Sequence, residues 1–181
     1  MPYVTEAELD RRLAWITGAP SEAPIDVLCH RPGFSERSFP DSISVSVAGG
    51  IDGERWLEHP WMKLADGSPD PRIQVSILSK RLVDIVWTDR ENTIHPGDTI
   101  IADINLSEEN FPAGTRISVG SAVLEVSDLF NNACAKWKVR YGPESYKWVN
   151  RPEYRHLRLR GALCKVVKDG IIRADDVLRR V

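Results

Sequence analysis

The feature that most constrains this chain is a series of short apolar runs broken by glycine turns. Thr99-Ile100-Ile101-Ala102-Asp103-Ile104, Arg116-Ile117-Ser118-Val119, Ala122-Val123-Leu124-Glu125-Val126 and residues 162–167 each read as a short strand. Gly120-Ser121 joins two of them with the spacing of a tight hairpin. Lys168-Asp169-Gly170 reads as a second hairpin leading into Ile171-Ile172-Arg173. Strands this short bury little alone and must close on one another. The pattern therefore predicts a mostly β, α+β fold: a mixed, twisted β-barrel with helices attached. A doubly wound α/β fold needs strand and helix to alternate regularly, and here they do not.

The first half supplies the attached pieces. Thr5 and Glu8 form a capping box before Leu9, Leu13 and Ile16, which share one face, so residues 5–17 are expected to be a helix. Gly18 is read as its left-handed stop, with Pro20 beyond. Within a Pro-, Ser- and Gly-rich stretch over 19–42, residues 25–29 read as a short strand. Residues 42–47 alternate as a strand and end in the turn-rich loop Gly49-Gly50-Ile51-Asp52-Gly53. Residues 57–72 carry three prolines and read as irregular. Residues 73–78 are expected to be a strand, 79–87 a short helix with Leu82, Val83 and Val86 inward, and 143–156 helical in part.

At 181 residues the length suits one domain, and the 42% hydrophobic content suits a real core. A net charge of −2 argues against a general nucleic-acid binder. No run approaches the roughly 20 apolar residues that span a bilayer, and the start shows no basic segment followed by an apolar one. Cys29, Cys134 and Cys164 form no CxxC pair and no zinc spacing, and His30, His59, His95 and His156 add none. Free thiols in a reducing, cytoplasmic setting are the expectation. The small net charge conceals a split. Residues 131–165 hold nine Lys or Arg against two Asp or Glu, and 84–128 hold nine acidic against two basic. The basic block is where an anion is expected to sit.

That block contains Asn131-Asn132-Ala133-Cys134-Ala135-Lys136-Trp137, followed by Lys138 and Arg140. Cys134 is placed in a loop after a strand, and nearby cations favour its thiolate, the form that acts as nucleophile and soft metal donor. The competing reading is a buried structural cysteine. Cys29 and Cys164 lie at or in apolar strands and read as inert core thiols. In Gly49-Gly50-Ile51-Asp52-Gly53-Glu54-Arg55, the glycines permit close backbone approach and Arg55 can fork onto a phosphate, although a plain loop explains the same residues. Alternation through Arg155-His156-Leu157-Arg158-Leu159-Arg160-Gly161 places Arg158 and Arg160 on one face, either for an anion or as a charged strand edge. His95-Pro96-Gly97-Asp98 reads first as a turn. No Gly-x-Ser-x-Gly elbow is present.

Taken in order, these blocks resemble the MOSC domain, the module named for the C-terminal part of molybdenum-cofactor sulfurases. The resemblance runs through Phe111-Pro112-Ala113-Gly114-Thr115-Arg116-Ile117-Ser118-Val119-Gly120, Ala122 to Ser127, Ala133-Cys134-Ala135-Lys136-Trp137, Arg158 to Ala162 and Lys168 to Arg173. Upstream, Gly50 to Arg55 is similar to the family's Gly-x-x-Gly-Asp-Arg loop, and Pro96-Gly97-Asp98 to its Pro-Gly-Asp turn. Three departures stand out: Glu54 replaces the Asp of Gly-Asp-Arg, Ala133 precedes the cysteine, and residues 100–105 replace a Gly-Glu-Asn block. The resemblance covers about residues 45–177. It implies one domain over 1–181 with its N-terminal helix within 1–20, a barrel of the MOSC or pyruvate-kinase β-barrel type, and a cytoplasmic protein. It also implies that Cys134 carries sulfur as a persulfide or ligates molybdenum. Asn132, Arg55, Lys136, Arg140, Arg158 and Arg160 are the residues expected to hold an anionic cofactor.

The family's association with pyridoxal phosphate comes through its sulfurase relatives, yet no lysine here stands in a Schiff-base context. Three functions follow. Cys134 hands sulfur between a donor and an acceptor; or it ligates a molybdenum cofactor that reduces N-hydroxylated compounds, with electrons from a separate protein; or it is a wall residue of a non-catalytic module for an anionic small molecule. None calls for a nucleic acid or a membrane.

Overall fold

In the computed structural model, which describes residues 3–181, seven strands close into a barrel. They are β1 (Ala23–Leu28), β4 (Val75–Ser79), β5 (Ile100–Ala102), β6 (Arg116–Val119), β7 (Ala122–Val126), β8 (Ala162–Lys168) and β10 (Val177–Arg180). The order around the barrel is β1-β10-β6-β7-β8-β4-β5, and β5 closes onto β1 through Val27↔Ile101 and Leu28↔Ile100. The barrel is mixed: β4 and β5 run parallel, joined by the crossover that contains helix α2 (Lys80–Val86), and the other pairs run antiparallel. A parallel pair needs such a crossover. The expectation of a mixed barrel with attached helices holds.

Strand parity explains both layers of the core. Ile77, Ile100, Ile117, Leu124 and Cys164 fill the interior, whereas their neighbours Leu78 and Ile101 face outward. That outward stripe is covered by Leu9 of α1 (Glu6–Thr17), Leu82 of α2, Trp137 of α3 (Ala135–Tyr141) and Trp148 of α4 (Pro143–Val149). All five residues of β4 are therefore buried, as for a strand covered on both faces. The Trp148 indole N–H donates to Asp10 Oδ1 at 2.7 Å and ties α4 to α1. A second sheet, β3 (Gly50–Ile51), β2 (Ser42–Ser46) and β9 (Gly170–Arg173), caps another flank.

Several expectations need correction. Gly18 ends α1 with φ −79°, so the stop is not left-handed, although the Thr5 hydroxyl does accept from the Glu8 N–H. The glycine loop contains β3, paired to β2 through Val45↔Ile51. Residues 168–170 do not close a hairpin: β8 stays in the barrel, while β9 leaves it to pair with β2. Gly170 makes this exit possible, because its α-carbon faces the backbone of Ser121 and Ala122 so closely that a Cβ would lie 2.4 Å from the Ala122 nitrogen. The last strand, β10, lies beyond the strands expected from the sequence and forms by pairing with β1 and β6. Residues 155–160 are not a strand. Pro152–Leu157 is a 3₁₀ helix, and Arg158 caps it in the left-handed region at φ 46°.

Candidate functional site

Cys134 is the residue before the first turn of α3, with extended backbone, and not part of a free loop. Its carbonyl accepts from the Trp137 and Lys138 N–H groups. Asn150 holds the preceding residue from both sides: its Oδ1 accepts from the Ala133 N–H at 2.9 Å, and its Nδ2 donates to the Ala133 carbonyl at 3.1 Å. Trp137 is buried, and its indole N–H donates to Ser145 Oγ, so α3 is pinned to α4. The result is a rigid base from which Cys134 projects. Cys134 is exposed, and Cys29 and Cys164 are buried. Burial pushes the Cys29 thiol up to about 11 and raises Cys164 as well, as expected for inert core thiols.

Around this thiol the predicted residues divide. Lys136 and Asn132 are exposed near it in sequence, and Lys138 is exposed on the next turn. Arg160 lies over the Trp137 ring at 4.8 Å, and its Nη1 donates to Asp98 Oδ1 at 2.8 Å. Asn131, not Asn132, supports that arginine: its Nδ2 donates to the Arg160 carbonyl. Arg140 is near enough to Arg37 to make that guanidinium less basic, after the larger effect of burial. Arg55 stacks on Phe34 at 4.8 Å and is likewise made less basic by burial and then by Arg31. Arg158 is turned elsewhere. It is buried, donates to the Phe111 carbonyl and stands 4.0 Å from Glu108. The left-handed cap at Arg158 rotates its side chain away from that of Arg160, so the shared face expected from alternation does not form.

Three contacts join residues that no local pattern connects. Arg37 sits in the irregular stretch 29–41, which carries no periodicity, yet its guanidinium packs against Gly97. Glu54, the departure from the family's Asp, accepts from the Arg31 backbone N–H at 3.1 Å and from Nε and Nη2 at 2.9 Å each. This bidentate clamp anchors the loop carrying Arg55, whose own N–H donates to the Arg31 carbonyl. His95 is enclosed by edge-to-face contacts with Phe39 and Trp87, and burial lowers it to about 4, so it is neutral at neutral pH.

The fold and site thus define a closed mixed β-barrel presenting one exposed thiol on a helical flank rich in arginine and lysine. Residues 97–179 match the family model of the MOSC domain. No curated protein matches the sequence. Among solved structures, the YuaD protein of Bacillus subtilis is similar at a TM-score of 0.58 and 19% identity, over 87% of this chain and 94% of that one. YiiM of Escherichia coli is similar at a TM-score of 0.58 and 17% identity, over 90% and 70% of the two chains. YiiM of Geobacillus stearothermophilus gives a TM-score of 0.54 and 14% identity, over 88% and 75%. At these identities the likeness is one of fold. The family association bears on the molybdenum cofactor and gives pyridoxal phosphate no support. Among the described residues no helix is long and apolar enough to cross a membrane, and no three His, Cys, Asp or Glu side chains gather as a metal-binding group.

Proposed function

We propose that this MOSC-domain protein works through Cys134 as a sulfur carrier. The observation that carries this reading is the contrast between the three thiols: two are buried, and the third is exposed on a rigid helix start beside Lys136, Lys138 and Arg140. In the step proposed, the Cys134 thiolate attacks the outer sulfur of a donor persulfide. A new S–S bond forms on Cys134, the donor leaves as a thiolate, and no net oxidation occurs. The cations stabilise the terminal sulfur as an anion. Delivery is the reverse step: an acceptor thiolate attacks the outer sulfur, a new S–S bond forms on the acceptor, and Cys134 leaves as a thiolate. A donor or acceptor protein and a reducing compartment belong to the same proposal.

Molybdenum-cofactor binding is the second reading, favoured by the chemistry of the donor set. A thiolate is a soft ligand suited to a molybdenum–sulfur centre, and guanidinium groups suit a phosphate. Cys134 would be the protein ligand, with Arg160, Arg140 and Lys136 holding the phosphate and Arg55 on the anchored glycine loop. When bound, the cofactor supplies two-electron redox chemistry, with N-hydroxylated compounds as the proposed substrates and a separate protein as the electron source. Arg160 is already oriented by Asp98 and Trp137, which lowers the cost of ordering it on a ligand.

One preparation separates the two. The protein and Cys134→Ala are purified from a host that makes the cofactor, and cyanide-releasable sulfur, molybdenum and pterin are measured on each. Sulfur lost in the variant, without metal, is the expected result. Stoichiometric molybdenum and pterin lost in the variant establishes the second reading. Absence of both from the wild type rejects the two together and leaves a non-catalytic anion-binding module.

A further inference from the structure

The outer face of α3 carries features that folding alone does not explain. Trp137 and Tyr141 turn inward, and Cys134, Ala135, Lys136, Lys138 and Val139 are exposed. At about 100° of rotation per residue, Val139 stands opposite the buried Trp137–Tyr141 edge. It is 74% exposed, more than any other large hydrophobic among the described residues. A β-branched residue is a poor helix former, and here no packing compensates. Lys136 and Arg140 stand four residues apart, a like-charge pair that destabilises a helix. Neither they nor Lys138 forms an ion pair among the described residues, whereas Arg31, Arg81, Arg151 and Arg160 each do.

The helix holds these side chains on a fixed ridge. The Tyr141 hydroxyl donates to the Ile94 carbonyl at 2.9 Å, and the Tyr3 hydroxyl donates to the Val139 carbonyl at 2.9 Å. A rise of about 1.5 Å per residue places Val139 about 7.5 Å along the axis from Cys134. A small anion would use the cations and gain nothing from Val139. A protein surface with carboxylates around an apolar residue meets both: the carboxylates neutralise Lys136, Lys138 and Arg140, and the apolar residue covers Val139.

We propose that the outer face of α3 docks the protein that gives sulfur to Cys134 or takes it, and that this partner presents carboxylates around an apolar contact beside its own reactive sulfur. The proposal rests on the sulfur-carrier reading, in which no phosphate occupies these cations. Docking raises the encounter rate and orients the two sulfurs, and the exchange between them is unchanged.

Thiol–disulfide exchange between the whole chain and activated peptides tests this. Each peptide carries one cysteine capped as a 2-pyridyl disulfide. The Cys134 thiolate attacks the peptide sulfur, a mixed disulfide forms, and pyridine-2-thiolate leaves, takes a proton from water and is read by absorbance. The peptides are a hexamer of four glutamates, a leucine and the cysteine, its lysine counterpart, and the glutamate form with serine for leucine. A neutral hydroxyethyl 2-pyridyl disulfide normalises every rate for the reactivity of the thiol itself, and Cys134→Ser is expected to release nothing. The acidic leucine peptide is expected to react at least about tenfold faster than the basic one at low salt, with the gap closing as salt rises. Lys136→Glu with Lys138→Glu is expected to remove that preference. Val139→Ser is expected to slow the leucine peptide about threefold and leave the serine peptide unchanged. These side chains are exposed, and unchanged Tm values confirm that the variants fold. Equal rates for acidic and basic peptides, a preference that survives the charge reversal, or no effect of Val139→Ser would overturn the proposal. So would an equal gain for the small anionic 2-pyridyl disulfide of thioglycolate, or wild-type self-association that Lys136→Glu abolishes, which gives the face to a second copy. The sulfur-carrier reading fails separately, through absence of cyanide-releasable sulfur, because these rates need only the free thiol.

Discussion

Replacing Glu54 by leucine tests the clamp that positions the glycine loop. The Glu54 side chain is 1% exposed, and Arg31 is 21% exposed. The variant removes two charge-assisted side-chain hydrogen bonds and leaves the Arg31 backbone N–H without its acceptor. Breaking one partner of a buried pair costs about 3–5 kcal/mol. Arg31 is open enough to turn partly toward water, which places the expectation near the lower end, about 3 kcal/mol. For a chain of this size that corresponds to a Tm drop of about 6–12 °C. Urea unfolding gives the free energy directly, with an unchanged m-value if the denatured state is unaffected. The double variant Arg31→Met, Glu54→Leu removes both charges and should recover at least half of the loss, because the penalty comes from the stranded charge. A single variant within about 1 kcal/mol of wild type, or a double variant less stable than the single, would refute the reasoning.

Three further outcomes are expected. A thiol reagent should titrate one cysteine in the native protein, three in urea, and none in native Cys134→Ser, given that Cys29 and Cys164 are buried; fast native labelling of a second thiol would contradict the core assignment. His95 is lowered from 6.5 to about 4 in the folded protein, so the unfolded chain binds more protons between those values. Stability is full above pH 6.5 and falls as pH drops toward 4, by about 2 kcal/mol at pH 5. Comparing urea midpoints at pH 7 and pH 5 for wild type and His95→Gln reads this out, and an equal pH slope in both proteins would remove His95 as its source. Gly161 has φ 93°, and a Cβ there would lie 2.2 Å from the Ile77 carbonyl oxygen. Gly161→Ala should cost about 2 kcal/mol or more by denaturation, and a neutral result would mean the β4–β8 contact yields easily.

Local periodicity made much of this fold legible. The α1 face, the β6–β7 hairpin at Gly120-Ser121 and the inward side of α2 all follow from spacing within a few residues. Those patterns arise from contacts between near neighbours, which the order of residues contains directly. The candidate thiol was legible for the same reason: one cysteine lay in a cation-rich block, and the other two lay at or in apolar strands. What needed the tertiary structure was every decision about partners distant in sequence. Nothing local says that β9 leaves β8 for β2, because the choice depends on close backbone packing at Ser121 and Ala122. Nothing local parts Arg158 from Arg160, because one is drawn to the Phe111 carbonyl and the other to Asp98. Arg37 carries no pattern at all and gains its meaning only from the glycine it packs against. Hydrogen bonds and ion pairs between remote residues leave no period in a sequence, so the chain alone determined a barrel with one chemically distinctive cysteine, and folding decided which charges surround it.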